Sequence, residues 1–137
     1  MAPVSPQHPA ILREHAILVR DGRIVHEGGP REPGAWTYAW LRPGLGRTPL
    51  YIGATGLALG ERVQLHLESA EPHVGRVRHE HPEALAGEVI VRGFLLAPGT
   101  DRKAVARALE AILRGKEPSG DPIAVAIAHA AAVRLAP

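Results

Sequence analysis

The sequence predicts an α/β (α+β) fold: a small central three-stranded, mainly antiparallel sheet flanked by helices, with an added N-terminal β-hairpin and a C-terminal helix. Three observations lead there. Two aromatic-rich runs, Trp36 to Leu41 and Tyr51 to Gly53, alternate in side-chain direction as strands do. A nearly continuous apolar run, Glu88 to Ala97, reads as a third strand. Between and after these runs, apolar residues recur with helical period. The chain then divides into an arm over 1–34, a core over 35–118 and a helical tail over 119–137, packed on the core.

In the arm, Met1 to Pro9 is proline-rich and irregular. Ala16 to Arg20 and Arg23 to Glu27 flank Asp21-Gly22, a strong hairpin signal, and such a hairpin extends or covers the edge of a sheet. Gly28 to Gly34, with two prolines, reads as a linker into the core.

In the first core strand, Trp36, Tyr38 and Trp40 point one way and Thr37, Ala39 and Leu41 the other. The spacer RPGLGRTP carries Pro43, Gly44, Gly46 and Pro49, which favour a loop. An antiparallel hairpin with a longish connection follows, and it brings Tyr38 and Tyr51 onto one face. Four of the five aromatic residues lie between positions 36 and 51. They supply the core of a small sheet, and the two tyrosines are also candidates for chemistry.

Thr55 and Gly56 then begin a helix in which Leu59, Val63 and Leu67 recur until Pro72 forces an end. Arg62 and His66 are four apart and share one face of it. The next run, EPHVGRVRHEHPEALAGE, is the most polar of the chain. His73, His79 and His81 with Glu80 raise the question of a metal site, but Pro72, Gly75 and Pro82 argue for a solvated loop. From such a loop Arg76 and Arg78 can touch a phosphate backbone.

The third strand is interrupted by Arg92-Gly93, which suits a bulge or kink. Beyond Pro98 and Gly99, Thr100 is a good N-cap, and Val105, Ala108, Leu109, Ile112 and Leu113 form a helical stripe. Glu110 lies at the border of that stripe, an uncomfortable place for a carboxylate without a partner. A helical pair with Arg107 or Arg114 is the simplest reading. Asp121-Pro122 opens the tail as N-cap and N1, and its apolar residues lie all round, which suits burial at a domain or homodimer surface. A strand over Ile123 to Ile127 is the alternative.

Length and charge narrow the class of protein. At 137 residues the chain suits one modest core. It has no long apolar run and no basic-plus-hydrophobic leader, so a protein without signal peptide or membrane span is expected. Zero cysteine excludes disulfides and thiolate metal sites and fits the cytoplasm. Lys and Arg number 16 against 14 Asp and Glu, a net +2 that neither demands nor forbids nucleic acid.

Tyr51-Ile52-Gly53, the tyrosine at 38, Arg62 and His66 together resemble the GIY-YIG nuclease domain. That family includes the incision subunit of bacterial excision repair and many homing endonucleases. The second motif is intact, whereas Trp36-Thr37-Tyr38 keeps only the tyrosine of the first. The resemblance covers roughly residues 36–118 and implies an endonuclease that hydrolyses phosphodiester bonds in nucleic acid, DNA ahead of RNA. It further implies Glu110, eight residues before Pro118, as the ligand of a catalytic Mg²⁺ or Mn²⁺, with Glu117 the second choice. In this scheme Tyr38 is the general base, Tyr51 positions phosphate or water, Arg62 offers its fork of donors to the phosphate, and His66 orients a tyrosine or contacts a phosphate. Gly53 lets the backbone approach the phosphate. The family's closing asparagine is absent, since the chain has no Asn. The alternative is a catalytically degenerate nucleic-acid-binding module of the same fold. An unrelated α/β protein is the third reading, and it predicts that Tyr38, Tyr51, Arg62 and Glu110 do not converge.

Overall fold

The computed structural model describes residues 8–27, 32–44 and 48–135. In chain order the elements are β1 (Ile11–Arg20), β2 (Arg23–Glu27), β3 (Ala35–Leu41), β4 (Pro49–Thr55), α1 (Leu59–Glu68), α2 (Arg76–Glu80), a 3-10 turn (Pro82–Leu85), β5 (Glu88–Leu96), α3 (Arg102–Leu113) and α4 (Pro122–Arg134). The strands form one antiparallel sheet in the order β2-β1-β5-β3-β4, so the α+β class holds.

That sheet has five strands, not the expected three. The hairpin of the arm is continuous with it, because β1 pairs with β5 from Ile11 to Arg20. Its alternation explains the docking: His15, Ile17 and Val19 are buried while Glu14, Ala16 and Arg20 are exposed. Asp21 and Gly22 close the hairpin with positive φ at both positions (50° and 78°), the twist that two-residue turns require. Asp21 also clasps β5, its N–H donating to the Gly87 carbonyl at 2.9 Å and its Oδ1 accepting from the Gly87 N–H at 2.8 Å.

Helices cover both faces. Trp36, Tyr38 and Trp40 pack with Ile17, Val19, Val89 and Val91 beneath Leu59, Val63 and Leu67 of α1 and Val77 of α2. On the opposite face Ala39, Leu41, Phe94 and Leu96 meet the apolar stripe of α3 and the small residues of α4. The tail is therefore a helix, and a strand over Ile123 to Ile127 is excluded. Ile123 and Val133 keep 66% and 49% of their surface exposed, so α4 is not buried all round within one chain.

Three local expectations are corrected. The polar run after Pro72 is not a loop but α2 followed by the 3-10 turn, with Val77 and Ala84 as its buried anchors. Asp101, not Thr100, caps α3, accepting from the Ala104 N–H at 3.0 Å. Gly93 makes no bulge: the register runs through it on both sides. A side chain there would collide with Leu59 (2.4 Å), whose methyls pack on the bare strand. Met1 to Pro9 lies largely outside the described residues, as do positions 28–31 of the linker and 45–47 of the spacer. Among the described residues no helix is long and apolar enough to cross a membrane.

Candidate functional site

The edge strand β4 forms the floor of a cleft of about 340 Å³. Leu50, Tyr51 and Ile52 line it from β4, Arg76 and Glu80 from α2, His81 from the residue after α2, and Glu110 and Arg114 from α3. The cleft wraps round the edge of the sheet, since α2 belongs to one face and α3 to the other. Side chains distant in sequence meet there because an edge strand leaves room that a central strand does not.

Tyr51 is central to it. Its ring lies 5.8 Å from His81 and 5.1 Å from His66 between centroids, and the Arg76 guanidinium stands 5.6 Å over it, a cation–π distance. Arg76 is gripped by Glu80 through two bonds, Nε to Oε2 at 2.8 Å and Nη2 to Oε1 at 3.4 Å. This pairing lowers the Glu80 carboxyl from its usual range and raises the Arg76 guanidinium. Across the cleft, Arg114 stands 3.5 Å from Glu110. Burial pushes the Tyr51 hydroxyl up, against the pull of Arg76 and then Arg62.

Behind Tyr51 lies a sealed pair. Tyr38 is 1% exposed and His66 fully buried, and the Tyr38 hydroxyl is 2.6 Å from His66 Nε2. The Val77 N–H donates to His66 Nδ1 at 3.3 Å. A backbone N–H can only donate, so the neutral imidazole carries its proton on Nε2 and donates it to Tyr38. Burial first, then Arg62 and Arg76, holds the His66 imidazole down to about 3. Burial likewise drives the Tyr38 hydroxyl well above its ordinary value, with Arg62 opposing.

Of the residues predicted from sequence, Tyr51, Arg76 and Glu110 converge in the cleft, with Tyr38 and His66 directly behind. Arg62 does not line it; its Nη1 donates to the Val74 carbonyl at 2.6 Å and ties α1 to the turn that precedes α2. Arg78 turns away, donating to the Glu68 carbonyl at 2.9 Å. Gly53 is required by the tyrosines, because a Cβ there would fall 2.6 Å from the Tyr38 hydroxyl and 2.9 Å from the Tyr51 ring. His81, Glu80 and Arg114 were not among the predicted site residues. The i, i+4 spacing in RVRHE and in EAILR was the available signal for the two arginine–glutamate pairs.

A divalent ion of the kind that the resemblance implies makes modest demands, since Mg²⁺ keeps several waters and takes one or two carboxylates. Among the described residues no three of His, Asp and Glu gather into a ready-made metal cluster. Glu110 fits the modest demand: its carboxylate is half-exposed, faces the cleft, and is held only by a loose ion pair. A larger groove of about 500 Å³ lies between β2 and α1. It carries Glu27 and Glu61 with no basic side chain, and none of the predicted residues, so it suits a polyanion poorly.

Comparison with known proteins finds no match to this chain among family models, curated proteins or solved structures.

Proposed function

We propose that this chain is a divalent-metal-dependent endonuclease of GIY-YIG type that hydrolyses phosphodiester bonds in nucleic acid, with DNA as its substrate. One observation carries the reading: Tyr51, Arg76 and Glu110, chosen from sequence, line a single cleft although three different elements supply them. Arg76 and Arg114 offer planar donor forks matched to phosphate oxygens. Each is held by a carboxylate four residues away, so a phosphodiester enters by exchanging with Glu80 or Glu110 rather than by meeting a bare cation. Tyr51, fixed by its neighbours' rings and by Arg76, positions the phosphate.

Glu110 would hold Mg²⁺ or Mn²⁺, which supplies neutralisation of the charge building on the phosphate. Tyr38 and His66 act from behind as a dry buttress that fixes β3, α1 and α2 against one another, and Arg62 braces the turn that precedes α2. The test is nicking of supercoiled plasmid with Mg²⁺ or Mn²⁺ by the wild type, Glu110→Ala and Arg76→Ala. Metal-dependent nicking abolished by Glu110→Ala and reduced by Arg76→Ala supports the reading. An intact plasmid overturns it.

The sealed state of Tyr38 favours a second reading, the catalytically degenerate binding module. A tyrosine with 1% exposure cannot take a proton from a water in the cleft. That protein would shift plasmid on a gel, with affinity falling as salt rises, and leave it uncut.

A further inference from the structure

We propose that His81 is the proton acceptor of the cleft, positioned by Glu83; this rests on the nuclease reading above. The resemblance assigns proton transfer to Tyr38, yet that hydroxyl is buried and already accepts from His66, and His66 is fully buried itself. Neither exchanges a proton with a water in the cleft. The chemistry still requires a group that does so.

The cleft supplies one. The titratable groups facing His81 are Tyr51 from β4, Arg76 and Glu80 from α2, Glu83 from the 3-10 turn, and Glu110 and Arg114 from α3. Arg76 and Arg114 stay charged and cannot accept a proton, and Glu80 is committed to Arg76. Burial disfavours loss of the Tyr51 proton. Glu110 is the carboxylate needed for the metal. Histidine is the side-chain type whose charge changes near neutral pH, and among the described residues His81 is the only one lining the cleft.

Its surroundings orient it as a base. Glu83 Oε1 lies 3.5 Å from His81 Nδ1, which favours the tautomer protonated on Nδ1 and leaves Nε2 as the ring nitrogen with a lone pair to accept a proton. The Tyr51 ring, 5.8 Å away between centroids, packs beside the imidazole. In the step, Nε2 takes one proton from a water as an electron pair on that water's oxygen forms the new bond to phosphorus. The bond from phosphorus to the departing sugar oxygen breaks with its electron pair, and that oxygen takes a proton from solvent. The imidazolium then returns its proton to solvent. The sum is diester plus water to monoester plus alcohol.

The experiment is plasmid nicking from about pH 5 to 9 by the wild type, His81→Ala, His81→Gln and Glu83→Gln, with His73→Ala as control. His73 is an exposed histidine of the same polar segment outside the cleft. Thermal melting of each variant and gel shift without metal run alongside. The expected result is a loss of about 10²- to 10⁴-fold for both His81 variants with DNA binding intact. Free imidazole should partly rescue His81→Ala, and Glu83→Gln should lower the rate by a smaller factor than either His81 variant. His81 variants that nick at the wild-type rate with the wild-type profile overturn the proposal and leave the nuclease reading standing. A wild type that binds plasmid and never nicks it overturns both.

Discussion

The Nε2 atom of His66 donates to the Tyr38 hydroxyl at 2.6 Å, while the Val77 N–H holds the other ring nitrogen. A strand, a helix and the start of a second helix thus share one hydrogen-bonded chain in a dry interior. Its consequences are measurable.

Tyr38→Phe removes the acceptor and leaves a buried imidazole N–H without a partner. The expected cost is about 1–3 kcal/mol, read as a lower urea midpoint at unchanged slope. Plasmid nicking should stay within about tenfold of wild type if Tyr38 is a buttress. A far larger loss in a folded variant would restore it as the base.

His66 also predicts a pH dependence. Its folded value is about 3 against an ordinary 6.5, so the unfolded chain binds the extra proton first as pH falls. Stability from the neutral imidazole is complete above about pH 6.5 and lost as pH falls towards 3, at up to ~1.4 kcal/mol per pH unit. His15, lowered by burial with Glu27 opposing, adds in the same sense. Urea unfolding at pH 7.5 and about pH 5, with His66→Gln alongside, checks it. The variant should show the shallower slope, and equal slopes would refute the assignment to His66.

Gly53→Ala places a methyl against both tyrosine rings, within 2.6 Å of the Tyr38 hydroxyl. Overpacking of this kind costs about 1–3 kcal/mol. The strain falls between Tyr38 and Tyr51, so the cleft should suffer along with the fold. Thermal melting and DNA binding measured together should both decline.

Arg76→Ala and Arg78→Ala should differ, although the sequence offers the two arginines as equals. Arg76 lines the cleft and Arg78 is turned to the end of α1. Losing one phosphate contact lowers the slope of log affinity against log salt by about 0.9. Arg76→Ala should show that drop and Arg78→Ala should keep the wild-type slope, as read by fluorescence anisotropy across a salt series.

The elements legible in sequence were those with a local signal. Trp36, Tyr38 and Trp40 announced β3 by alternation, Asp21-Gly22 announced the first hairpin, and the stripe from Val105 to Leu113 announced α3. The helix α2 was hidden because it is five residues long and bounded by Gly75 and Pro82, which locally read as a loop. It is helical because Val77 is drawn into the core and its N–H is claimed by His66, both tertiary effects. His81 could not be placed without it. The number of strands was missed for a similar reason, since β1 shows no preference for β5 until the whole chain is folded. Tyr51 and Glu110 could be chosen by motif and spacing, yet only the path of the sheet edge explains why they meet.

The clasp between Asp21 and Gly87 joins positions 66 residues apart. During synthesis the first hairpin must therefore wait for β5 before it belongs to a sheet, and a lone two-stranded hairpin is marginal in water. Closure over such a span makes for slow folding. One wall of the cleft precedes β5 in the chain and the other follows it. A nascent chain thus presents only half of the cleft, and whatever the cleft holds can be gripped only once the sheet is finished.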